Sequence, residues 1–329
     1  MKLDYGVFII SLDFELYWGM RDKMSIEQYR DNLLGVRNAI DKMLSIFDAN
    51  AIHATWATVG FLFFNDLEHL KKNLPQHKPK YAIDALSPYK YIEASDNLDV
   101  KYHFAPEIIE IIQRHSGQEI GTHTFSHYYC LEAGQSLVEF KADISSAIKI
   151  AETKGISISS LVFARNQCNP EYLKILTELG IQCYRGTESS WIYNPSNSQE
   201  QSKVQRAIRL LDAYLNFSGH HTYNFQDCLL SKPFNFPSSC FLRPYSKQLA
   251  FLDGLKLKRI TNAMDDAAMN NRIFHLWWHP HNFGINTAKN IVFLEKIVEH
   301  YKALEQKYGM KSLNMKELSL LSLPKNLSA

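Results

Sequence analysis

Val7-Phe8-Ile9-Ile10-Ser11-Leu12-Asp13-Phe14-Glu15 begins as an almost unbroken apolar run and ends on two carboxylates two positions apart. The run reads as a strand buried on both faces, the pattern of a parallel sheet covered by helices. If extension persists through Glu15, both carboxylates project to one side. Ionised carboxylates beside a core are costly unless they are paired or hold a metal. The plainer alternative makes Asp13 a helix cap and Glu15 a surface residue.

Outward from this strand, the chain alternates. Ser25 with Gln28 three residues on forms a capping box, followed by Ile26, Tyr29, Leu33, Val36, Ile40, Met43 and Phe47 at helical spacing. Strands are expected at Ala54 to Val59, Gln118 to Thr122, Ser160 to Ala164, Ile181 to Tyr184 and Ile273 to Trp278. Between them lie helices at Pro106 to Arg114, Gln135 to Lys154, Asn169-Pro170 to Gly180, Lys203 to Leu215 and Thr287 to Tyr308. Ser189 to Ser202 and Ser218 to Ser239 read as loops. About seven alternations with no repeat and no linker predict one α/β domain, a barrel rather than separate halves. Leu70 to Phe104 breaks the rhythm with Pro75, Pro79, Pro88 and four tyrosines, and reads as a lid or an insertion.

Composition sets the bounds. The chain has 329 residues, 36 Lys+Arg against 34 Asp+Glu, and 46% hydrophobic residues. No strong field points to nucleic acid or an anionic membrane. Five cysteines without a C-x-x-C pair fit a reducing compartment. The start of the chain lacks an apolar signal region, and Ala51 to Phe64 is too short to span a bilayer. A cytoplasmic protein without a transmembrane segment is expected.

Three polar clusters fall just past expected strand ends: Asp13-Phe14-Glu15, His123…His127, and His279-Pro280-His281. In parallel barrels that end carries the active site. On a helical turn His123 and His127 would share a face, but their position after a strand favours a loop or a single turn. Two histidines and a carboxylate with open positions suit a divalent ion that acidifies water. Trp18, Trp191, Trp277 and Trp278 offer flat faces for a sugar, although at least one of the last two belongs to the core.

These residues carry a family resemblance. Ser11-Leu12-Asp13-Phe14-Glu15, then His123-Thr124-Phe125-Ser126-His127, resemble the first two motifs of the NodB-type polysaccharide deacetylases, carbohydrate esterase family 4. Phe163-Ala164-Arg165 resembles their arginine motif, and Leu276-Trp277-Trp278-His279 their Leu-x-x-His motif. The match spans roughly Phe8 to Gly284. It implies a distorted (β/α)7-type barrel and metal-dependent removal of an acyl group from a sugar amide. The whole chain, 1–329, would be one such catalytic domain, with the insertion at 70–104.

By this resemblance His123 and His127 are metal ligands, with Glu15 as the third and Asp13 as the base. Phe14 stands where the family commonly has a second aspartate, which leaves the roles of Asp13 and Glu15 exchangeable. Arg165 would orient Asp13 and lower its pKa, although Asn166 replaces the usual proline. His279 would be the general acid, with His281 as its rival or as a substrate contact. Glu188 and Trp191 sit where the family walls its sugar site. The metal would be Zn²⁺, with Co²⁺, Ni²⁺ or Mn²⁺ as alternatives. An N-acetylated sugar, a precursor of surface polysaccharide rather than assembled wall, is the expected substrate. A deformylase or small-amide hydrolase, or a carbohydrate-binding protein without activity, are the competing readings.

Overall fold

The structure is a computed structural model that describes residues 2–197, 200 and 202–322. Nine strands form one sheet: β1 Val7–Phe14, β2 Ala54–Thr58, β3 Gln118–Thr122, β4 Ser160–Val162, β5 Cys183–Arg185, β6 Phe234–Asn235, β7 Cys240–Phe241, β8 Ile273–Trp278 and β9 Lys311–Ser312. Their order is β6-β5-β4-β3-β2-β1-β8-β7, with β9 joined to the start of β1, and every named pairing is parallel. The sheet curls with helices around it and stays open between the two short strands β6 and β7. This is the distorted α/β barrel that the sequence predicts.

β1 explains why the site lies where it does. All eight of its residues are buried. Phe8, Ile10, Leu12 and Phe14 face the helices within the main core, whereas Val7 and Ile9 join Cys183, Phe234, Phe236 and Ile273 in a second, interior cluster. Further along the interior face come Ser11 and Asp13, beside His275 of β8 and Arg185 of β5. The barrel is thus apolar at the N-terminal end of its strands and polar at the C-terminal end. Asp13 and Phe14 still pair with Ala57 and Thr58 of β2, so extension does persist through the first carboxylate. Phe14 between the two acids turns the other way, into the core.

The helix Ile26–Asn50 starts on the Ser25–Gln28 capping box. It also anchors a site loop: Tyr29 donates to Asn282 Oδ1 at 3.0 Å and Asn32 donates to the His281 carbonyl at 3.1 Å. The helices Pro106–Arg114 and Thr287–Tyr308 match expectation, and Lys203–Asp212 ends slightly early. The polar stretch 189–202 is partly irregular, with Trp191–Tyr193 as one 3-10 turn; positions 198, 199 and 201 lie outside the described residues. The helices Asp253–Met269 and Met315–Leu320 have no counterpart in the sequence reading. Among the described residues no helix is long and apolar enough to cross a membrane.

The segment 70–104 is packed rather than loose. It carries the short helices Pro88–Glu93 and Val100–His103, and Tyr81, Tyr89 and Tyr102 are buried. Arg21 donates to the carbonyls of Ala85 and Leu86, and the Tyr81 hydroxyl accepts from the Tyr129 amide at 2.9 Å. Through that last contact the segment braces the loop after β3.

Candidate metal centre

Each strand end delivers one part of the centre. Glu15 follows β1, at a sharp turn where Leu16 has φ +47°. His123 follows β3, its amide bonded to the Thr58 carbonyl of the neighbouring strand at 2.9 Å. The next residues form a tight loop rather than a helix, with Thr124 at φ +65° and His127 at φ +58°. Such strain at non-glycine residues persists only where surrounding contacts impose it. Here the Asp143 carboxylate accepts from the amides of Phe125 (2.7 Å) and Ser126 (3.1 Å) and from the Ser126 hydroxyl. Thr124 Oγ1 accepts from the Tyr128 amide at 2.6 Å.

The loop aims both imidazoles at one carboxylate oxygen. Glu15 Oε2 lies 3.2 Å from His123 Nε2 and 2.9 Å from His127 Nε2. His123 Nδ1 donates to the Val162 carbonyl at 2.9 Å, and His127 Nδ1 faces the Tyr129 hydroxyl at 3.1 Å. With its Nδ1 donating to a carbonyl, His123 presents the lone pair of its Nε2 to the centre, and His127 does the same when its Nδ1 donates to the Tyr129 hydroxyl. One ligand atom from each of the three buried residues fits within 4.8 Å of the others. His123 Nε2 is buried without a hydrogen-bond partner, which is the state of a nitrogen built to bind a cation. Burial pushes the His127 pKa down to about 4, so the ring is neutral and ligand-ready at neutral pH. Burial would raise the Glu15 pKa, but His279, His127 and His123 outweigh it and hold the carboxyl well below the usual range. The donor set fits a divalent ion of the zinc type.

Gly19 is the one residue type this geometry tolerates at its position. A Cβ there would sit 2.0 Å from Glu15 Oε1. Gly19→Ala is expected to displace the carboxylate and weaken metal binding by roughly 10- to 100-fold, the range for lost support of a ligand. Competition with a metal indicator would measure it. Gly254→Ala, where a Cβ meets nothing within 4 Å, is the matched control and should leave affinity unchanged.

Asp13 stands beside the centre, and here the structure corrects the sequence. Its partner is Arg185, at the end of β5, in a two-pronged ion pair of 2.7 and 2.8 Å. Arg185 also donates to Ser11 Oγ (2.9 Å) and Asn166 Oδ1 (3.0 Å) and stacks on the Trp277 ring at 4.1 Å. Burial would raise the Asp13 pKa, but Arg185 and then His123 lower it overall. Arg165, expected in this role, pairs instead with Asp22 and covers the Tyr129 ring at 4.3 Å. The reason is geometric: Arg165 lies past β4 in a left-handed turn (φ +54°) that carries its side chain away from β1. The interior face extends the Asp13 network, since His275 Nδ1 donates to the Phe236 carbonyl and its Nε2 accepts from Ser11 Oγ at 2.8 Å. Burial and Arg185 press the His275 pKa to about 3, so it is a neutral relay and not an acid.

The two C-terminal histidines separate cleanly. His279 Nε2 lies 3.8 Å from Asp13 Oδ2 and 3.6 Å from Glu15 Oε1, with 23% of its side chain exposed. His281 is buried behind Glu15 at 3.8 Å, and burial drives its pKa to about 3. It therefore lies in the wall of the centre, out of reach of a substrate. Trp18 is also removed from the substrate side: it is fully buried, its Nε1 donating to the His103 carbonyl at 2.7 Å. Trp191 is 61% exposed on the outer surface, whereas Glu188 and Trp277 line a cleft of about 880 Å³ next to the centre. Trp278 packs on Phe283 in the core.

An open parallel barrel with a buried carboxylate and two imidazoles at its strand C-termini defines the class. Within that class the fold is that of the NodB-type polysaccharide deacetylases, as the sequence resemblance implies. A protein from Mycobacterium smegmatis assigned as a polysaccharide deacetylase matches with TM-score 0.57 and 13% identity, covering 99% of this chain and 95% of its own. One from Pseudomonas aeruginosa PAO1, likewise assigned, matches at 0.55 and 10%, covering 96% and 91%. The Puue allantoinase matches at 0.54 and 10%, covering 99% and 93%. No protein-family profile matches the chain, and no curated protein matches it significantly in sequence.

Proposed function

We propose that the protein is a metal-dependent hydrolase that removes an N-acetyl group from an amino sugar, a precursor in the making of a surface polysaccharide. The observation that carries this reading is the convergence of Glu15, His123 and His127 on one point, with Asp13 and His279 adjoining it, 3.8 Å from each other. Glu15, His123 and His127 would hold the ion, Zn²⁺ by its donor set, and the ion would polarise the acyl carbonyl and acidify a water. Asp13, kept ionised by Arg185, would be the base that accepts a proton from the attacking water. Its two oxygens are fixed by the guanidinium, so it is oriented before substrate arrives. His279 is the partly open group beside Asp13 and Glu15 and would protonate the departing amine. A backbone N–H at the rim would share the charge of the oxyanion. Trp277, its ring held between Arg185 and Phe241, would form part of the wall beside the sugar.

We further propose that the chain works as one catalytic domain, with 70–104 as an insertion that stiffens the His123–His127 loop through Tyr81. The five cysteines are all free, four of them buried, which favours a reducing, cytoplasmic setting. A small-amide hydrolase on the same fold is the second reading, because an allantoinase shares it. The volume of the cleft, about 880 Å³, favours a larger substrate than a ureide. A panel of N-acetylated and N-formylated amino sugars, with a ureide alongside, separates these with metal-replete protein. Acetate release from an amino sugar is expected; formate or ureide turnover alone would replace this reading with the second.

A further inference from the structure

The cleft beside the centre is cationic out of proportion to the chain. Its lining holds Lys23, Arg165, Arg206, Arg209, Arg243 and Arg259 against only Asp22, Glu188 and Asp212. That excess of three positive charges exceeds the whole chain's formal +2. The acids are already engaged. Asp22 is paired with Arg165. Asp212 accepts from Tyr193, from the Phe217 and Ser218 amides and from the Ser218 hydroxyl, with Arg259 Nη2 at 3.6 Å. Burial raises the Glu188 pKa, which favours its neutral form. Among the described residues Lys23, Arg206, Arg209 and Arg243 have no carboxylate partner.

A second observation points at a ligand. Arg259 is 4% exposed and its Nη2 donates to the Gly219 carbonyl at 2.6 Å, yet its Nη1 has no hydrogen-bond partner among the described residues; the Nε atoms of Arg259 and Arg243 are also unpartnered, as are those of Arg21, Arg165 and Arg185. Buried guanidinium donors are rarely left unpaired in a native structure. The near end of the cleft meets the catalytic groups. Asn166 accepts from Arg185, and His279 lies against both Trp277 and Phe241, with ring centroids 5.6 and 5.7 Å away. The cleft's own lining stops at Asn166, Phe241 and Trp277, one side chain short of Asp13 and His279, so a ligand in it would lie against the residues that border the centre.

We propose that this cleft binds a phosphate or diphosphate group carried by the same substrate whose acylamide lies at the Glu15–His123–His127 centre. This rests on the amide-hydrolase reading above for the direction in which the substrate lies. Several planar guanidiniums converging on one cavity match phosphate oxygens, and a single carboxylate would offset only one of the three excess charges. The substrate class is then an acylated amino sugar joined through phosphate to a carrier, either a nucleoside or a lipid.

The test is calorimetric titration of chelator-treated protein, so that phosphate cannot bind through metal, using inorganic pyrophosphate, UDP and farnesyl diphosphate as probes. Binding of pyrophosphate is expected, weakened about tenfold or more in Arg243→Gln and in Arg206→Gln, as each removes a charged contact. Lys42→Gln, on the exposed face of the helix Ile26–Asn50, should bind like the wild type. Tighter binding of UDP than of pyrophosphate would name a nucleoside carrier; tighter binding of farnesyl diphosphate would name a lipid. Absence of binding by all three, or equal binding by the arginine variants, would overturn the proposal. No turnover enters this measurement. Diphosphate binding by a protein that hydrolyses no acylamide would sink the hydrolase reading and leave the cleft standing.

Discussion

Asp13→Asn is expected to lower kcat by about 10²- to 10⁴-fold, the usual worth of a positioned general base, while metal content stays at the wild-type level. Asn keeps the shape of the side chain and removes its charge. The three ligand residues are elsewhere, so the ion should stay. What changes is that the carboxylate oriented by Arg185 can no longer take a proton from the attacking water. The variant also leaves Arg185 as a buried cation without its counter-charge, since neither residue's side chain is more than 4% exposed. Breaking a buried pair from one side typically costs about 3–5 kcal/mol; the amide oxygen of Asn still accepts from Arg185, which places the loss at the lower end. Paired measurements of kcat, metal content and denaturant midpoint distinguish a lost base from a lost fold. Full activity in Asp13→Asn would show that Asp13 is not the base, and Glu15 would be the residue to test next.

The second large effect separates two arginines. Arg185→Ala is expected to cost about 3–5 kcal/mol of stability, as the buried Asp13 carboxylate loses its partner. Its activity should also fall, because burial alone raises the Asp13 pKa and weakens its orientation. Arg185→Lys should rescue only in part: an ammonium cannot reproduce two parallel bonds to Asp13 together with those to Ser11 and Asn166. Arg165→Ala should do less, since Arg165 is linked to the centre only through the Tyr129 ring that supports His127. Chemical denaturation and kcat for the three variants give the order. A larger loss in Arg165→Ala than in Arg185→Ala would restore the role that the motif order implies and contradict the geometry.

That pair of arginines shows where the sequence stops being readable. β1 and β8 are strongly apolar runs of eight and six residues, so Glu15 and His279 stand out just past their ends. β3, Gln118-Glu119-Ile120-Gly121-Thr122, is short and mixed, and His123 and His127 stand out by their own spacing and by the motif resemblance. β4 and β5 are three residues each, so the chain's direction on leaving them depends on turns. The left-handed Arg165 and Asn166 send one arginine outward, and nothing in Phe163-Ala164-Arg165 announces this. Arg185 did leave a signal, a cation ending the apolar run Ile181 to Tyr184, at the same strand end that marked the other clusters. Trp18 was misjudged because aromatic faces look alike in sequence; only the His103 carbonyl above its Nε1 reveals it as core. The cationic cleft was illegible for another reason. Its six basic residues span Lys23 to Arg259 and are gathered from the loops and helices after four different strands, in a chain whose net charge is nearly zero.

The most direct test of the central claim is a metal titration read by acid release. Protein stripped with a chelator and then dialysed should show no hydrolysis of an N-acetylated amino sugar that the native protein turns over. Zn²⁺ added in steps should restore the rate, with a break at one equivalent per chain. His123→Ala, folded by circular dichroism, should neither bind the ion nor recover. Hydrolysis that continues unchanged in the stripped protein, or that returns in His123→Ala with the same one-equivalent break, would contradict a working centre at Glu15, His123 and His127.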